Sequence, residues 1–512
     1  MPLDPSTSWS WVALALCVSL AVAWEAKTRR RRLHLPPGPP CVPVLGNALD
    51  LPRRHLGLEF QQISDKYGDV VYLDALGQPI LLVNSVKVAH ELLDKRSANY
   101  SDRPMSVMAE LTGFGCMFMV HKYGNRWRLH RRVFHQSFNS DAVVEYRPIH
   151  AAPPAACSPR SSPHRESSSA RSNCAYPYCA QCTSASPLMR VAYGVDLEEP
   201  NDRYFQVVER VSAVGEEISV PGRFPVEGLP SLRYIPEWFP GGAFKRWSAE
   251  AKRYFQESVN TLYAVAVDGL HKGTTKESFV TRLLEDVSSY DLEGGDEPDL
   301  EAFIKSVAIS IYAAGSDTVN LLLHAAFFLA MAMFPDVQRK AQAELDRVVG
   351  RDRLPDFSDA DDLPYLRALL TELARWHIVT PISSPHSAIA DDEFNGHFIP
   401  KGTVIIVNIW SLARDPELYP DPDADPTEIA FGFGRRICPG RYFAEASLWV
   451  VIASVLHTFT ISPPVDADGK PVALEHDTAT RGVVAHPGFH DYVVKPRDAQ
   501  AEQLIHDTRN EA

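Results

Sequence analysis

Hydrophobic and polar positions divide the chain into segments of different kinds. Residues 9–24 read WSWVALALCVSLAVAW, an apolar run without a charge. At 1.5 Å per residue such a helix spans about 24 Å, slightly under the roughly 27 Å hydrocarbon of a thin bilayer. Trp9, Trp11 and Trp24 suit the two interfaces, and Lys27 with Arg29 to Arg32 forms a basic stop. A cleaved signal peptide would carry its positive charge ahead of the run, where Asp4 lies instead. Residues 1–34 therefore predict an N-terminal membrane anchor with the remaining chain on the cytoplasmic side.

The segment Leu35-Pro-Pro-Gly-Pro-Pro40 predicts a stiff extended spacer, since proline fixes φ and lacks a donor. A generic proline-rich linker has the same composition. From about Leu56 to Asn139 the periodicity gives helices with a small sheet, including the strand-like VVYLDAL and ILLVNSV. From Asp202 to Gly350 it is almost wholly helical, with a long apolar helix from about Phe303 to Met333. Short alternation returns between about Phe394 and Asn408, in HFIPKGTVIIVN. The fold class predicted is mainly α with a small β region: one catalytic domain over residues 35–496 and a polar tail over 497–512.

Residues 151–187 fit none of these patterns. Ser, Ala and Pro fill 23 of the 37 positions, and Val, Ile, Leu, Met, Phe and Trp are missing from them. So little apolar surface does not offset the entropy of ordering, and the segment reads as disordered. Cys174, Cys179 and Cys182 give C-x4-C-x2-C, without the second pair that a zinc finger needs.

Composition narrows the class. The 512 residues carry 51 Lys and Arg against 64 Asp and Glu, a formal charge of −13. That excess of acid argues against nucleic acid as a partner, because such binding neutralises phosphates. Eight cysteines in this length do not make a disulfide scaffold.

One cysteine lies in a loop whose neighbours each have a chemical use. Phe431-Gly-Phe-Gly-Arg-Arg-Ile-Cys-Pro-Gly440 fits F-x-x-G-x-R-x-C-x-G. Gly434 and Gly440 permit a tight loop whose N–H groups approach the Cys438 sulfur and stabilise a thiolate metal ligand. Arg436 supplies a cation for an anionic cofactor edge, and Phe431 a face for a flat apolar group. The helix predicted after Gly440 adds a dipole that favours negative sulfur. A buried structural cysteine is the bland alternative. A dinucleotide loop fails because Ile437 stands where the third glycine belongs.

On these residues the chain resembles the cytochrome P450 family of haem-thiolate monooxygenases, with an overall look closest to fungal microsomal members. The resemblance implies haem b (iron protoporphyrin IX) bound through Cys438. Trp127 and Arg131, in W-x-x-x-R, and His386 resemble the family's contacts to the haem propionates. Glu372 and Arg375, in E-x-x-R, resemble its buried ion pair on one helix face. Ala314-Gly-Ser-Asp-Thr318 resembles the segment crossing the distal face. Ala314 and Gly315 would open a groove for O2, Thr318 would donate a hydrogen bond there, and Asp317 would relay protons. A packing glycine with a back-bonded threonine is the structural alternative. Val319 departs from the second hydroxyl residue that members often carry.

Further expectations follow from the same resemblance. The activity is insertion of one oxygen atom from O2 into a lipophilic small molecule, in secondary metabolism or xenobiotic oxidation. Electrons come from NADPH through a membrane-bound NADPH–cytochrome P450 reductase, docked on a basic face of Arg126, Arg128, Arg132 and Arg435. The aromatic stretch Phe224 to Phe239 touches the bilayer. The location is the endoplasmic reticulum membrane. Two departures favour a different outcome, a catalytically impaired, membrane-anchored relic. One is the 151–187 segment. The other is the absent Phe-x-Pro-Glu-Arg meander, since Tyr419-Pro-Asp-Pro422 runs almost directly into Thr427. A haem-thiolate isomerase or dehydratase is the third reading, against which the Asp317-Thr318 pair stands.

Overall fold

A computed structural model describes residues 34–150, 186–197, 203–274, 276–285, 299–320, 325–416, 418–419, 427–478, 482–488 and 490–511. The expected anchor, nearly all of the 151–187 segment and the junction after Tyr419 lie outside the described residues. Among the described residues, no helix is long and apolar enough to cross a membrane.

The body is mainly helical, as its periodicity predicts. The principal elements are α1 (Leu56–Tyr67), β1 (Val70–Ala75), β2 (Gln78–Val83), α2 (Asn125–Phe138), α3 (residues 186–193) and α4 (Arg203–Ser219). They continue with α5 (Ala243–Lys272), α6 (Leu300–Asn320), α7 (Pro335–Val348), α8 (Pro364–Trp376), β3 (His386–Ser387) and β4 (Asp392–Phe394). Last come β5 (His397–Ile399), β6 (Val404–Val407), α9 (Arg441–Thr458), β7 (Phe459–Ser462), β8 (Val493–Pro496) and α10 (Ala499–Glu511). The long apolar helix expected over 303–333 is described on either side of residues 321–324, as α6 up to Asn320 and as a helix over Phe327–Met333.

The small β region joins distant parts of the chain. Strands β1 and β2 form a hairpin turned by Leu76 and Gly77, at φ 54° and 86°. Strand β6 then lies parallel to β2, with Ile80 opposite Val404 and Val83 opposite Val407, and β3 closes the four-stranded sheet. Alternate side chains of β2 serve two cores. Leu81 and Val83 pack with Leu92, Leu93 and Phe433, while Ile80 and Leu82 pack with Leu56 and Phe60. The strand is therefore apolar on both faces, which is why it reads as a run rather than an alternation.

Two helices organise the interior. Phe303, Ile304, Val307, Ala308, Ile311 and Tyr312 of α6 are buried among residues of α2, α3 and α5. Helix α9 is apolar nearly all round, and its Leu448, Trp449, Ile452 and Leu456 pack with α7 and α8. The two helices also touch each other. The loop that precedes α9 is thereby carried on the most buried framework in the molecule.

Helix α8, which carries the E-x-x-R motif, begins on a borrowed cap. Pro364 starts it, and the Glu344 carboxylate of α7 accepts hydrogen bonds from Tyr365 N–H (3.0 Å) and Leu366 N–H (2.9 Å). Those first N–H groups have no intrahelical partner. Glu344→Ala is expected to cost about 1–2 kcal/mol, the usual price of a lost N-cap. Thermal unfolding followed by circular dichroism checks it; an unmoved midpoint would show that the cap is dispensable.

Candidate functional site

The Cys438 loop runs from Phe431 to Gly440, between the N-terminus of α9 and the turn at Leu93. The Cys438 N–H donates to the Phe431 carbonyl at 2.9 Å, and Ile437 N–H to Gly434 at 3.1 Å. Two glycines shape it by adopting the left-handed region, Gly432 at φ 79° and Gly434 at φ 57°. Gly434 is required twice over, because a Cβ there would lie 2.0 Å from the Leu93 carbonyl oxygen. Gly440 departs from the expectation. Its φ is −91°, it caps α9, and a Cβ on it meets no protein atom within 4 Å. The tight turn is thus made by Gly432 and Gly434. Phe431 contributes its carbonyl to the loop and packs its ring against the α9 core.

The sulfur lies in mixed company. Burial pushes the Cys438 thiol up; the Gly440 N–H and the guanidinium groups of Arg131 and Arg441 pull it down. Those same groups would stabilise a metal thiolate. Arg131, expected at a propionate, donates from Nη1 to the Ile437 carbonyl at 2.5 Å. It ties α2 directly to the residue before the cysteine.

Beside the loop is a buried cluster of cations. Arg436 donates to the Ser101 and His121 carbonyls, both at 2.8 Å, and its guanidinium lies 4.4 Å from the Trp127 ring. Arg103 is 7 % exposed and donates to the Met119, Ser384 and Pro385 carbonyls. Burial, then the charge of Arg436, push Arg103 down to about 9; burial pushes Arg436 down to about 10. His386, on β3, donates from Nδ1 to the Tyr100 carbonyl at 2.8 Å. Burial and the two arginines hold it well below the ordinary imidazole range. Asp102 is the carboxylate facing both guanidinium groups. Two donors in this cluster, Trp127 Nε1 and Arg436 Nη1, are buried and have no partner in the protein.

Buried cations and orphaned donors in one place call for an anion. The residues therefore fit haem: a thiolate for the iron from Cys438, and N–H groups of Trp127 and Arg436 for carboxylates at the rim, with Arg103 and His386 behind them. Arg103 and His121 escaped the sequence reading. His121 is buried, T-stacked on His130 and bonded through Nε2 to the Cys116 carbonyl at 2.7 Å. Neither residue sits in a periodic pattern, and the carbonyls that hold Arg103 come from Met119 and from Ser384 and Pro385, far apart in the chain.

Helix α6 carries the Ala314–Thr318 segment. Thr318 Oγ1 donates to the Ala314 carbonyl at 2.7 Å, so these two residues share a helix face. The hydroxyl proton is held within the helix, and the oxygen lone pairs are what Thr318 turns outward. Gly315 has a packing role. A Cβ on it would come 2.8 Å from Leu188 Cδ1, so its bare surface seats α3. The Asp317 side chain lies outside the described residues.

Glu372 and Arg375 do pair, bidentately, at 2.7 and 2.6 Å. The pair is less buried than expected, with the Glu372 side chain 57 % exposed. Arg375 also donates to the Ala413 carbonyl at 3.3 Å. Arg414 is held by the Trp410 and Trp376 carbonyls, so that helix, turn and loop are joined here by guanidinium groups.

A cysteine ligand loop on a helix N-terminus, beside cations and orphaned buried donors, defines a haem-thiolate site. The family description "Cytochrome P450" matches residues 36–487. The chain is 37% identical over 528 residues to the cytochrome P450 monooxygenase COX2 of Coprinopsis cinerea, covering 97% of this chain and 96% of that one. It is 35% identical over 500 residues to COX1 of the same fungus, covering 91% and 94%. It is 36% identical over 502 residues to cytochrome P450 monooxygenase 208 of Postia placenta, covering 93% of each. The chain belongs to the cytochrome P450 family and is an oxidoreductase of the monooxygenase type. Haem is the cofactor that membership implies.

The loop geometry separates its glycines. Gly434→Ala forces both a positive φ and a clash with Leu93, and should abolish stable haem incorporation. Gly440→Ala should leave haem content near that of the parent. Haem-to-protein ratio from a pyridine haemochrome assay checks both; equal ratios in the two variants contradict the geometry.

Proposed function

We propose that this enzyme inserts one atom of O2 into a lipophilic small organic molecule, drawing electrons from NADPH through a separate membrane-bound reductase. The observation that carries the reading is the Cys438 loop with its buried, unpartnered donors at Trp127 and Arg436. Haem, when bound, supplies the oxygen-activating chemistry. The chain's own residues hold and arrange. Gly440 N–H, Arg131 and Arg441 oppose the burial that raises the Cys438 thiol and would favour a metal-bound thiolate, and Trp127 and Arg436 would hold the anionic rim. Thr318 holds one proton against Ala314 and can release it when another reaches its oxygen from the solvent side. Asp317, next to it on α6, is suited to deliver that proton.

Two surface features support the partners assigned. Arg128 and Arg435 flank the ring of Tyr123 at 5.6 and 5.4 Å, and Arg132 is exposed on the same helix as Arg128. This basic face, beside the thiolate loop, suits an acidic reductase. Val44 (62 %), Leu49 (66 %), Tyr234 (81 %) and Trp238 (81 %) are exposed in two segments that meet at the β1–β2 hairpin. There Gly46 lies against Asp74 and Gly228 against Leu76. An apolar patch this close behind the basic run Arg29 to Arg32 suits a headgroup boundary. Attachment to the endoplasmic reticulum through residues 9–24 is part of the proposal, and it would bring lipophilic substrates to that face. Secondary-metabolite or xenobiotic oxidation is the setting it fits.

The reduced protein under carbon monoxide should give the thiolate-type band, and Cys438→Ser should remove it. With reductase, NADPH and O2, oxidised product should form. A product made without NADPH would mark an isomerase or dehydratase, and no band at all a relic. Thr318→Ala should lower product formed per NADPH consumed by about tenfold or more, the scale of a lost proton-transfer group. An unchanged ratio would remove Thr318 from the proton route.

A further inference from the structure

The outer side of the Cys438 loop rests on a turn with one residue too many. After the short helix Val86–His90 the chain winds Glu91–Lys95 as a π-type turn, closed by Arg96 N–H on the Glu91 carbonyl at 3.0 Å. Such insertions are rare and are found mostly at functional sites. Here the turn brings Leu93 and Asp94 against the thiolate loop. A Cβ at Gly434 would meet the Leu93 carbonyl at 2.0 Å and Asp94 Oδ1 at 3.0 Å. His90, immediately before the turn, sets its ring edge-on to Phe433, with centroids 5.2 Å apart at 87°. Asp94, one turn further, accepts a hydrogen bond from His90 Nδ1 and so fixes the ring's orientation.

As a surface pair, His90 and Asp94 would contribute little to stability, since their side chains are 43 % and 35 % exposed. Their position gives them another use. Phe433 is 3 % exposed and is flanked by Gly432 and Gly434, both in the left-handed region. Between two glycines the backbone has little stiffness of its own, so the Phe433 ring is what pins it. The same few residues carry the hydrogen bonds that close the loop on Cys438.

We propose that His90, oriented by Asp94, is a positioning residue for the iron ligand. It holds Phe433, and through Phe433 the backbone that presents the Cys438 sulfur. The proposal rests on the haem-thiolate reading of Cys438 and adds a support outside the family motif.

The test uses the haem-loaded full chain and three variants, His90→Ala, His90→Phe and Asp94→Asn. The readout is the rate at which the thiolate-type band of the reduced carbon monoxide complex converts to the thiol-type band at one mildly elevated temperature. Global unfolding is followed in parallel by circular dichroism. His90→Ala should convert about fivefold faster, the factor for an aromatic pair of ~1 kcal/mol. Asp94→Asn should fall between, and so should His90→Phe, which keeps a ring but loses the Asp94 bond. Global unfolding should be unmoved in all three. Parent-like rates in both His90→Ala and Asp94→Asn overturn the proposal. So does His90→Phe converting as fast as His90→Ala, or conversion that only tracks global unfolding. A parent protein without the thiolate-type band overturns the haem-thiolate reading itself, and this proposal with it.

Discussion

A sulfur that must be negative sits half-buried in a protein loop, and that one electrostatic constraint orders much of the molecule. Burial alone drives Cys438 toward the neutral thiol. The opposing influences come from three directions: the Gly440 N–H at the mouth of α9, Arg441 in its first turn, and Arg131 from α2. Each requires its own scaffold. Helix α9 is fixed by packing around its whole circumference, and Arg131 is fixed by its bond to the Ile437 carbonyl. The loop has so few degrees of freedom left that Gly434 accepts no side chain.

The same logic, with the sign reversed, governs the rim. Arg103 is buried and Arg436 half-buried; loss of water pushes them down to about 9 and about 10, and the charge of Arg436 adds to the fall of Arg103. Backbone carbonyls accept from Nε and Nη1 of Arg103 and from Nε and Nη2 of Arg436, which holds the groups in place without neutralising them. A guanidinium fixed in this way keeps its charge available for an anion. The negative sulfur and the positive rim are therefore complementary demands of a flat, charged-edge cofactor bound through its metal.

The distal helix shows how one sequence motif can divide its labour. In Ala314-Gly-Ser-Asp-Thr318 the residues four apart share a face and a hydrogen bond, while Gly315 turns to Leu188. Spacing predicts the first relation, because i and i+4 coincide on any α-helix. It does not predict the second, which depends on a helix more than a hundred residues away. Arg131 is a similar case. Its W-x-x-x-R spacing places it near Trp127, but its partner is a carbonyl that only the folded chain brings within reach.

What the sequence determined by itself is local: which segments are helical, where the small sheet has its strands, and which loop carries the ligand cysteine. Helical periodicity, glycine at left-handed positions and a cysteine flanked by Arg and Gly are written in neighbouring residues. What the tertiary structure decided is long-range. It joined β2 to β6 in parallel, set Leu93 against Gly434, and gathered Arg103, His121, His386 and Arg436 around Trp127. No periodicity encodes such meetings, since each depends on carbonyls and apolar faces contributed by segments far apart in the chain. Burial then sets the charge of Cys438, His386 and the arginines, because desolvation is a property of the packed interior and not of the residue.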